Sequence, residues 1–407
     1  MNFEDTPQEA TYRKAISAWL ATNGSDYREA VTGGDGVARA KAWQKIKHQA
    51  GFVGITWPKA MGGQGGTPMQ QIIFNQEESK YHAPTGLYAI GLGMCIPTVF
   101  THGQPEVVAR YVEPAMRGEE VWCQLFSEPS AGSDLAGIRT KAELAGDEWV
   151  INGQKVWTSG AQHSDFGIVV TRTDPGAPKH KGLTMFIVNM RDPGVEVRPI
   201  KQMSGGAEFN EVFFTDVRVN DSHRLGAVGD GWKVALTTLM HERVAVGGKP
   251  ATAPGVQDMI ELARSIDTES GNALEESRVR QKIADVYIQD RGIALTRMRT
   301  ISALSSGRTP GPESSISKVV VAKMMQDMGS FAADLAEGAG LIQGKDVVDL
   351  PHLTKLQQTY VAAAGLRIAG GTDEILRNII AERVLGLPGD MRPDKNIPFN
   401  EIHKYAE

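Results

Sequence analysis

Residues 127–134 read Ser-Glu-Pro-Ser-Ala-Gly-Ser-Asp, and residues 155–160 read Lys-Val-Trp-Thr-Ser-Gly. The first segment is a loop of small residues that offers hydroxyls and free backbone N–H groups. The second places an aromatic ring beside two hydroxyls at the end of a predicted strand. Hydroxyls and amides can bond the edge of a flat, polar heterocycle such as a flavin, and an indole can cover its face. Together the two segments predict a cofactor pocket.

The hydrophobic pattern changes twice along the 407 residues, which predicts more than one folded part. Residues 1–118 have helical spacing, and residues 119–229 have short strands with a period of two and turns rich in Asp, Pro and Gly. Long helical patterns return over 230–388 and indicate a bundle. We therefore predict an α+β multidomain fold: an N-terminal helical domain, a central antiparallel β-barrel or sandwich, and a C-terminal four-helix bundle. The tail, 389–407, is expected to wrap a neighbour or to fray.

Three local patterns support this division. Thr67 followed by Pro68 predicts the N-cap and first turn of a helix. The glycine run 62–66 is interpreted as a plain turn, because no strand with a Lys-Ser/Thr ending makes it a phosphate loop. The methionines at 324, 325 and 328 are interpreted as core packing.

Composition narrows the class of protein. The net charge is −5 and the basic residues are scattered, so we expect no nucleic-acid surface. Cys95 and Cys123 form no disulfide framework, and the histidines at 163, 223 and 241 lack metal-ligand spacing, so no metal is expected. The acidic N-terminus resembles neither a signal nor a transit peptide, and no apolar run is long enough for a membrane span. We therefore expect a cytoplasmic protein.

The two opening segments resemble the flavin-binding signature of acyl-CoA dehydrogenases. The resemblance continues at 210–219, 229–232 and 370–375, and it covers about residues 10–388 in the family's order. The order of helices, strands and helices agrees with the fold of that family. The resemblance implies an FAD cofactor, an acyl-CoA substrate, a role in fatty-acid or lipid metabolism, and an electron-transfer flavoprotein as acceptor. It also implies a homotetramer or an α2β2 assembly.

The resemblance assigns individual residues to the cofactor. It implies that Trp157 packs on the isoalloxazine and that the hydroxyl of Ser159 bonds the ring near N5. It implies that Ser133 serves both the flavin and the acyl-CoA. The full set that it assigns to FAD is Leu125, Phe126, Ser127, Gly132, Ser133, Trp157, Thr158, Ser159, Thr372 and Glu374.

The catalytic base is not where most members of that family carry it. Gly370 stands at the position of their Glu, so its backbone N–H remains to hold the thioester oxygen, but no carboxylate is present. A minority of the family places the Glu before an Arg on the first helix after the β domain, and Glu242-Arg243 matches that placement.

Helical spacing supports this assignment independently. Residues 232, 235, 239, 242 and 246 form one stripe, so Glu242 lies on an otherwise apolar face, where desolvation raises the pKa of a carboxyl group. Such a base can remove the weakly acidic α-hydrogen of a thioester. The alternative is a structural Glu paired with Arg243 or Lys249. By the resemblance, Arg243 is expected to fix the loop near Gly370 or to support the thioester site, with a surface Arg as its alternative.

One family feature is missing. The Arg that reaches the flavin pyrophosphate of a neighbouring subunit falls on Ile266, with Arg264 nearby as a candidate replacement. Two interpretations therefore stay open: a catalytic FAD-dependent dehydrogenase, and a non-catalytic or half-site subunit of a heteromeric one. A third, an oxidase, is disfavoured because the peroxisomal oxidases of the superfamily are longer.

Overall fold

The structure is a computed structural model that describes residues 5–24, 36–81, 83–246, 253–269, 271–305, 311–342, 350 and 352–405. For residues 242–246, 301, 304, 305, 314 and 403–405 it describes the backbone alone. Contacts divide the chain into two compact units. The first holds residues 2–201, 207–245 and 390–407, and the second holds 202–206 and 246–389. This division follows contacts alone, and the four domain boundaries drawn from the sequence stay a prediction.

The first unit opens with helices α1 Pro7–Asn23, α2 Gly36–Gln49, α3 Pro68–Glu78, α4 Gly86–Ile90, α5 Ile96–His102 and α6 Pro105–Arg117, with a π-helical turn at Gly91–Cys95 between α4 and α5. The N-cap prediction is confirmed, because Thr67 and Gln70 form a reciprocal capping box at the start of α3. The glycine run is a turn whose N–H groups at 62, 63, 65 and 66 donate to residues 55–59. Those donors are therefore not free to hold a phosphate.

Eight strands follow the helices in one sheet. They are β1 Trp122–Leu125, β2 Lys141–Ala145, β3 Glu148–Ser159, β4 Phe166–Arg172, β5 Leu183–Asn189, β6 Val195–Ile200, β7 Phe209–Asn220 and β8 Arg224–Leu225. Their order is β6-β7-β3-β2-β4-β5-β8, and β1 pairs with β4. The pairings are antiparallel except those of β4 with β1 and with β2, which are parallel. The predicted β domain is thus present, but it is not fully antiparallel. Strand β4 runs parallel to β1, and the hairpin β2–β3 lies between these two strands in sequence.

Alternate residues of the sheet face two different cores. Ile168 and Val170 of β4 pack with α5, with α6 and with the apolar residues 234 and 235 that follow the sheet in sequence. Val169, between them, packs with residues of β3, β5 and β7. Because these strands lie far apart in the sheet order, the sheet must curl to bring their side chains into one interior. The curled sheet is the scaffold for the segments around 127 and 157.

Long helices complete the chain. Helix α7 Gly231–Val246 lies in the first unit up to residue 245. The second unit holds α8 Val256–Arg264, α9 Ser277–Ser305, α10 Ser314–Leu335, α11 Leu353–Leu366 and α12 Asp373–Ile379, with a two-residue hairpin, β9 Asp267–Thr268 and β10 Gly271–Asn272. The methionine prediction is confirmed, because Met324, Met325 and Met328 are buried in the core of this bundle.

The C-terminal tail differs from its prediction. Residues 390–405 group with the first unit, where Asp394 pairs with Lys179 and Phe399 donates its N–H to the carbonyl of Ala177. Over these residues the tail therefore contacts its own chain and does not fray, and its contact with a neighbouring subunit stays a prediction. Its partners lie about two hundred residues earlier, as the separation of 215 between Lys179 and Asp394 shows, so local composition could not reveal them.

The close pairing of β1 with β4 can be tested at Gly167. A Cβ there would lie 2.5 Å from a methyl of Leu125 and 3.0 Å from the sulfur of Cys123, both fully buried. We expect Gly167→Ala to lower the free energy of unfolding by about 1–3 kcal/mol, the usual cost of overpacking. Gly292→Ala in α9 is the matched control, because its Cβ would meet open space. Equal urea midpoints for the two variants would contradict this account.

Candidate functional site

A β-bulge in β3 brings Trp157 out of the sheet. Lys155 pairs with Val212 and Thr158 with Asn210, so β3 has one more residue than β7 across this stretch. Trp157 has a left-handed φ of 61° and a side chain that is 58% exposed, whereas its neighbours Val156 and Thr158 are buried. A non-glycine residue in this conformation costs free energy and occurs mostly at functional sites. The indole therefore stands free to cover a planar ligand.

Two polar atoms beside Trp157 are buried without a hydrogen-bond partner in the described protein: Oγ1 of Thr158 and Oδ1 of Asn210. The amide nitrogen of Asn210 is satisfied, since it donates to the carbonyl of Thr158 at 2.9 Å and to Gln162 at 2.5 Å. Leaving such atoms unpaired costs about 1–3 kcal/mol each. A ligand with donors and acceptors along its edge would satisfy them.

The loop 127–134 lies against this bulge. The carbonyl of Ser127 accepts the N–H of Val156 at 2.9 Å, which joins the loop to β3. Glu128 and Ala131 exchange two backbone hydrogen bonds and close a tight turn. Beyond that turn, Gly132 and Ser133 are exposed, and a Cβ on Gly132 would meet nothing within 4 Å. The loop thus presents its small residues to the same region that Trp157 reaches.

A buried ion pair fixes the loop to the strand. The ammonium of Lys155 donates to Glu128 at 2.8 Å and to the carbonyl of Phe126 at 3.0 Å, and both charged side chains are almost fully buried. Glu128 also accepts the N–H groups of Arg139 and Thr140. The hydrogen bonds of this pair therefore connect β3 to the loop 127–134, to the residue before it and to residues 139 and 140 after it.

The environment keeps both partners charged near neutral pH. Burial lowers the pKa of Lys155 to about 8, against the opposing effect of Glu128. Burial alone would raise the pKa of Glu128, but the charge of Lys155 and the hydrogen bonds to the carboxylate hold that pKa below its usual value. The pair is thus a charged cross-link in a dry environment, where losing one partner is far more costly than at the surface.

The predicted cofactor residues of the first unit lie in this region. Leu125 and Phe126 are buried in the cores, so only their backbone is available to a cofactor. Ser127 and Ser159 are half-buried, and Ser133 and Trp157 are exposed. The structure therefore brings the loop residues and the bulge residues together, as the resemblance requires.

Gly370, Thr372 and Glu374 lie in the second unit, in a turn of their own. Gly370 is exposed with φ 64°, and Thr372 is the N-cap of α12, where its hydroxyl accepts the N–H of Ile375. Glu374 is exposed in the first turn of that helix. A positive φ favours glycine, so a carboxylate-bearing residue at 370 would be strained in this backbone.

An ionic network supports this turn. Asp373 is buried and accepts a bond from Arg367 at 2.7 Å, while Lys318 donates to the carbonyl of Gly371 at 2.6 Å and lies 3.9 Å from Asp373. Arg367 in turn donates to Gln326 of α10. The network ties the turn to the bundle and so fixes the direction of the Gly370 N–H.

The side chains of Glu242 and Arg243 lie outside the described residues, as does Lys249. The helix that carries Glu242 is described, and its earlier residues support the predicted stripe: Ala235 is buried, and Trp232 and Leu239 pack on the first core. Position 242 follows Leu239 by one helical step of three residues. The role of Glu242 stays a prediction.

Ile266 and Arg264, the two positions at issue for the interface Arg, both lie in the described part of the second unit. Ile266 packs between two apolar clusters of the second unit. Arg264 is exposed at the end of α8 and is held by Glu261 of the same helix at 2.8 Å. This pair is exposed and therefore weak, so the substitution of Arg264 for the interface Arg stays a prediction.

Sequence reasoning missed the residues that position the loop and the turn. Lys155, Glu128 and Asp373 stand out in the sequence only as members of motifs, and no local pattern points to Arg367 or Lys318. A lysine inside an apolar strand, close to a glutamate in a small-residue loop, was the available signal for the first pair. Among the described residues, no group of three or more His, Cys, Asp or Glu side chains is placed to hold a metal ion.

Comparison with known proteins identifies the family. Models of the N-terminal, middle and C-terminal domains of acyl-CoA dehydrogenases match residues 6–119, 123–217 and 229–385. "Acyl-CoA dehydrogenase IpdE1" of Mycobacterium tuberculosis is 35% identical over 94% of this chain and 98% of its own length. The chain belongs to the acyl-CoA dehydrogenase family. "Acyl-CoA dehydrogenase FadE34" of the same organism is 37% identical over 86% of this chain. The match covers 48% of that relative's length, so this chain spans about half of it.

Matches to solved structures support this family assignment. The "ChsE4-ChsE5 complex from Mycobacterium tuberculosis" matches with a TM-score of 0.80 and 28% identity, over 96% of this chain and 100% of that one. The "Tcur3481-Tcur3483 steroid ACAD" matches with a TM-score of 0.79 and 27% identity over the same shares. The predicted fold class is thus confirmed, and the chain is an oxidoreductase of this family with FAD as its cofactor.

The described residues fit FAD. The exposed indole of Trp157 and the open space at Gly132 offer a surface for a flat ring, and the neighbouring buried atoms of Thr158 and Asn210 lack partners within the described protein. In the described part of the chain, no helix is long and apolar enough to cross a membrane. The cytoplasmic location stays a prediction.

The buried pair gives a prediction about the loop. We expect Glu128→Gln to lower the free energy of unfolding by about 3–5 kcal/mol, because it leaves the ammonium of Lys155 buried without its counter-charge. The double variant Glu128→Gln/Lys155→Met should recover part of this loss, since it removes the unpaired charge. Urea unfolding of the single and double variants measures the coupling between the two residues.

Glu196→Gln is the matched control, because Glu196 pairs with Arg198 on the exposed surface of β6. Exposed pairs contribute about 0–1 kcal/mol, so this variant should remain close to the wild type. Additive losses in the double variant would show that Lys155 and Glu128 do not act as a pair.

Proposed function

We propose that this chain catalyses the FAD-dependent α,β-dehydrogenation of an acyl-CoA thioester to its trans-2-enoyl-CoA, with Glu242 as the general base. The observation that carries the proposal is the bulge at Trp157, whose exposed indole and unpaired polar neighbours lie beside the loop 127–134. This arrangement in a chain of the acyl-CoA dehydrogenase family suits a flavin ring.

Bound FAD would accept the hydride that leaves the β-carbon of the substrate. The chain's own residues have three tasks around that chemistry. Trp157 covers one face of the ring, while Ser127, Ser133, Thr158 and Ser159 offer hydroxyls to its edge. Ser133 and Arg243 are assigned to the acyl-CoA, and the N–H of Gly370 donates to the thioester oxygen as negative charge develops on it.

Glu242 takes the α-proton in this proposal. The described part of α7 supports the assignment, because residues 232, 235 and 239 of the same stripe face the apolar core. A carboxylate that continues such a stripe loses hydration, which raises its pKa and makes it a better base. At Gly370 the left-handed backbone disfavours a carboxylate-bearing residue.

The substrate class follows from the relatives. The chain is 27% identical to a "steroid ACAD" over almost its full length. We infer an acyl-CoA whose acyl group is carried on a steroid or another large lipid, and an electron-transfer flavoprotein as the electron acceptor. Anaerobic reduction with steroid-bearing, branched and straight-chain acyl-CoAs would rank these classes directly.

A second candidate is a half-site subunit of a heteromeric acyl-CoA dehydrogenase. One observation favours it over a homotetramer: Ile266, an apolar residue packed against the bundle core, occupies the position that the resemblance assigns to the family's interface Arg. A matching solved structure is a complex of two differently named chains. In this form, an unlike subunit would supply the cation that the FAD pyrophosphate needs.

The base assignment predicts the behaviour of Glu242→Gln. Gln is nearly isosteric but cannot accept the α-proton, so flavin reduction by substrate should fall by about 10²–10⁴-fold. FAD content and acyl-CoA binding should stay unchanged. Anaerobic bleaching of the flavin absorbance, followed by stopped flow, measures the rate.

Glu196→Gln is the matched control, because Glu196 is an exposed glutamate of β6 that is assigned neither to the cofactor nor to the substrate. It should bleach at the wild-type rate. Bleaching of Glu242→Gln at the wild-type rate with any acyl-CoA would exclude Glu242 as the base.

The assembly proposal predicts the behaviour of Arg264→Gln. If an unlike subunit supplies the pyrophosphate cation, this variant of the isolated chain should bind FAD within about twofold of the wild type. If Arg264 itself is the cation in a homotetramer, the loss of a charge-assisted bond worth about 1.5–3 kcal/mol should weaken FAD binding by roughly tenfold or more. Flavin fluorescence titration, with light scattering for the mass of the assembly, separates these results.

A further inference from the structure

The C-terminal tail contacts the segment that follows the cofactor loop. The ammonium of Lys179 lies 2.5 Å from Asp394 of the tail and 2.9 Å from Asp134, the last residue of the loop 127–134. Lys179 is only 8% exposed. One largely buried cation therefore links the tail to the loop through two carboxylates.

A second link runs through Arg172, which is 4% exposed at the end of β4. Its guanidinium donates to the carbonyl oxygens of Ala136 and Ile138, at 2.5 and 3.3 Å, and to the carbonyl of Lys179. The ring of Phe399 covers this guanidinium, with 3.8 Å between the guanidinium carbon and the ring centroid. The tail thus shields from water the cation that holds residues 136–138.

Backbone contacts place the tail in register with this region. The N–H of Phe399 donates to the carbonyl of Ala177, and the N–H of Asn400 donates to the carbonyl of Pro175. A single β-bridge joins Pro178 and Pro398. Repeated backbone bonds over a few residues make the docking specific, since a slip of one residue would break all of them.

The tail also lies beyond the part of the chain that the family models match, which ends at residue 385. Its contacts are therefore a feature of this chain in addition to the three family domains. Nothing in the loop itself supplies a counter-charge to Lys179 other than Asp134, whose side chain is 61% exposed. Asp394 contributes the less exposed of the two carboxylates.

We propose that residues 390–405 form a strap that holds the loop 127–139 in the conformation that binds FAD, with Lys179 and Arg172 as the positioning residues. The strap acts through these two cations and does not itself touch the predicted cofactor residues. It lowers the cost of ordering the loop when the cofactor binds, because part of that order exists beforehand. The proposal rests on the assignment of the loop to the FAD site.

The test uses the full-length chain with two measurements. Hydrogen–deuterium exchange of peptides covering 131–139 is measured on the flavin-free protein, and FAD affinity is measured by flavin fluorescence titration. We expect Asp394→Asn to increase exchange in these peptides and to weaken FAD binding about threefold. Lys179→Met and Phe399→Ala remove more of the strap, so their effects should reach about five- to tenfold.

Asp390→Asn is the matched control, since Asp390 is an exposed aspartate of the same tail, and it should change neither measurement. Wild-type exchange in both Asp394→Asn and Lys179→Met would overturn the strap. If Lys179→Met does not fold, Asp394→Asn still tests the proposal. This variant changes the tail residue of the Lys179–Asp394 pair and leaves Lys179 in place.

Ser133→Ala separates the strap from the assignment of the loop. Faster exchange with unchanged FAD binding in the strap variants would overturn the strap's role in cofactor binding, provided that Ser133→Ala itself weakens FAD binding. If Ser133→Ala also binds FAD normally, the assignment of the loop to the cofactor fails. The proposed effect of the strap on FAD binding then fails as well.

Discussion

The cofactor region of this chain depends on one buried ammonium group. Lys155 stands on β3 directly before the bulge and donates to Glu128 and to the carbonyl of Phe126, so one charge fixes both the strand and the loop. Burying a charged pair gains little net stability, but breaking it is expensive, and this asymmetry makes alternative loop positions costly. The exposed position of Trp157 follows from that constraint, because the residues on either side of it are held inside.

The two segments assigned to the chemistry both contain left-handed backbone. Trp157 has a left-handed φ in the first unit, and Gly370 and Gly371 have positive φ in the second. At Trp157 the bulge and the buried pair maintain the strain, and at Gly370 the network of Asp373, Arg367 and Lys318 supports the turn. Both segments have an ionic anchor nearby, but only Trp157 holds a conformation that is unfavourable for its residue type, since glycine adopts a positive φ at little cost.

Periodicity and capping rules predicted what depends on neighbours in sequence. The start of α3 at Thr67, the buried methionines of α10 and the three-part order of helices and strands follow from such local signals. The parallel pairing of β1 with β4 and the docking of the tail depend on partners far along the chain, which no local pattern reveals. The pair of Lys155 with Glu128 is intermediate between local and long-range features. Both residues belong to the motifs seen in the sequence, but only the fold shows that their side chains form an ion pair. The roles of Glu242 and Arg243 rest on the resemblance and on the helix stripe alone.

The two parts of the expected cofactor site differ in how they are built. Around the ring, the loop is held by a buried ion pair, by Arg172 and by the tail, so much of its order exists before any ligand arrives. Toward the pyrophosphate, Ile266 stands where the family's cation is expected. A site that loses charge-assisted bonds at one end can keep affinity if it spends less free energy on ordering the other end. If the pyrophosphate cation comes from an unlike subunit, as proposed above, the prior order of the loop offsets part of the FAD affinity that this chain lacks on its own.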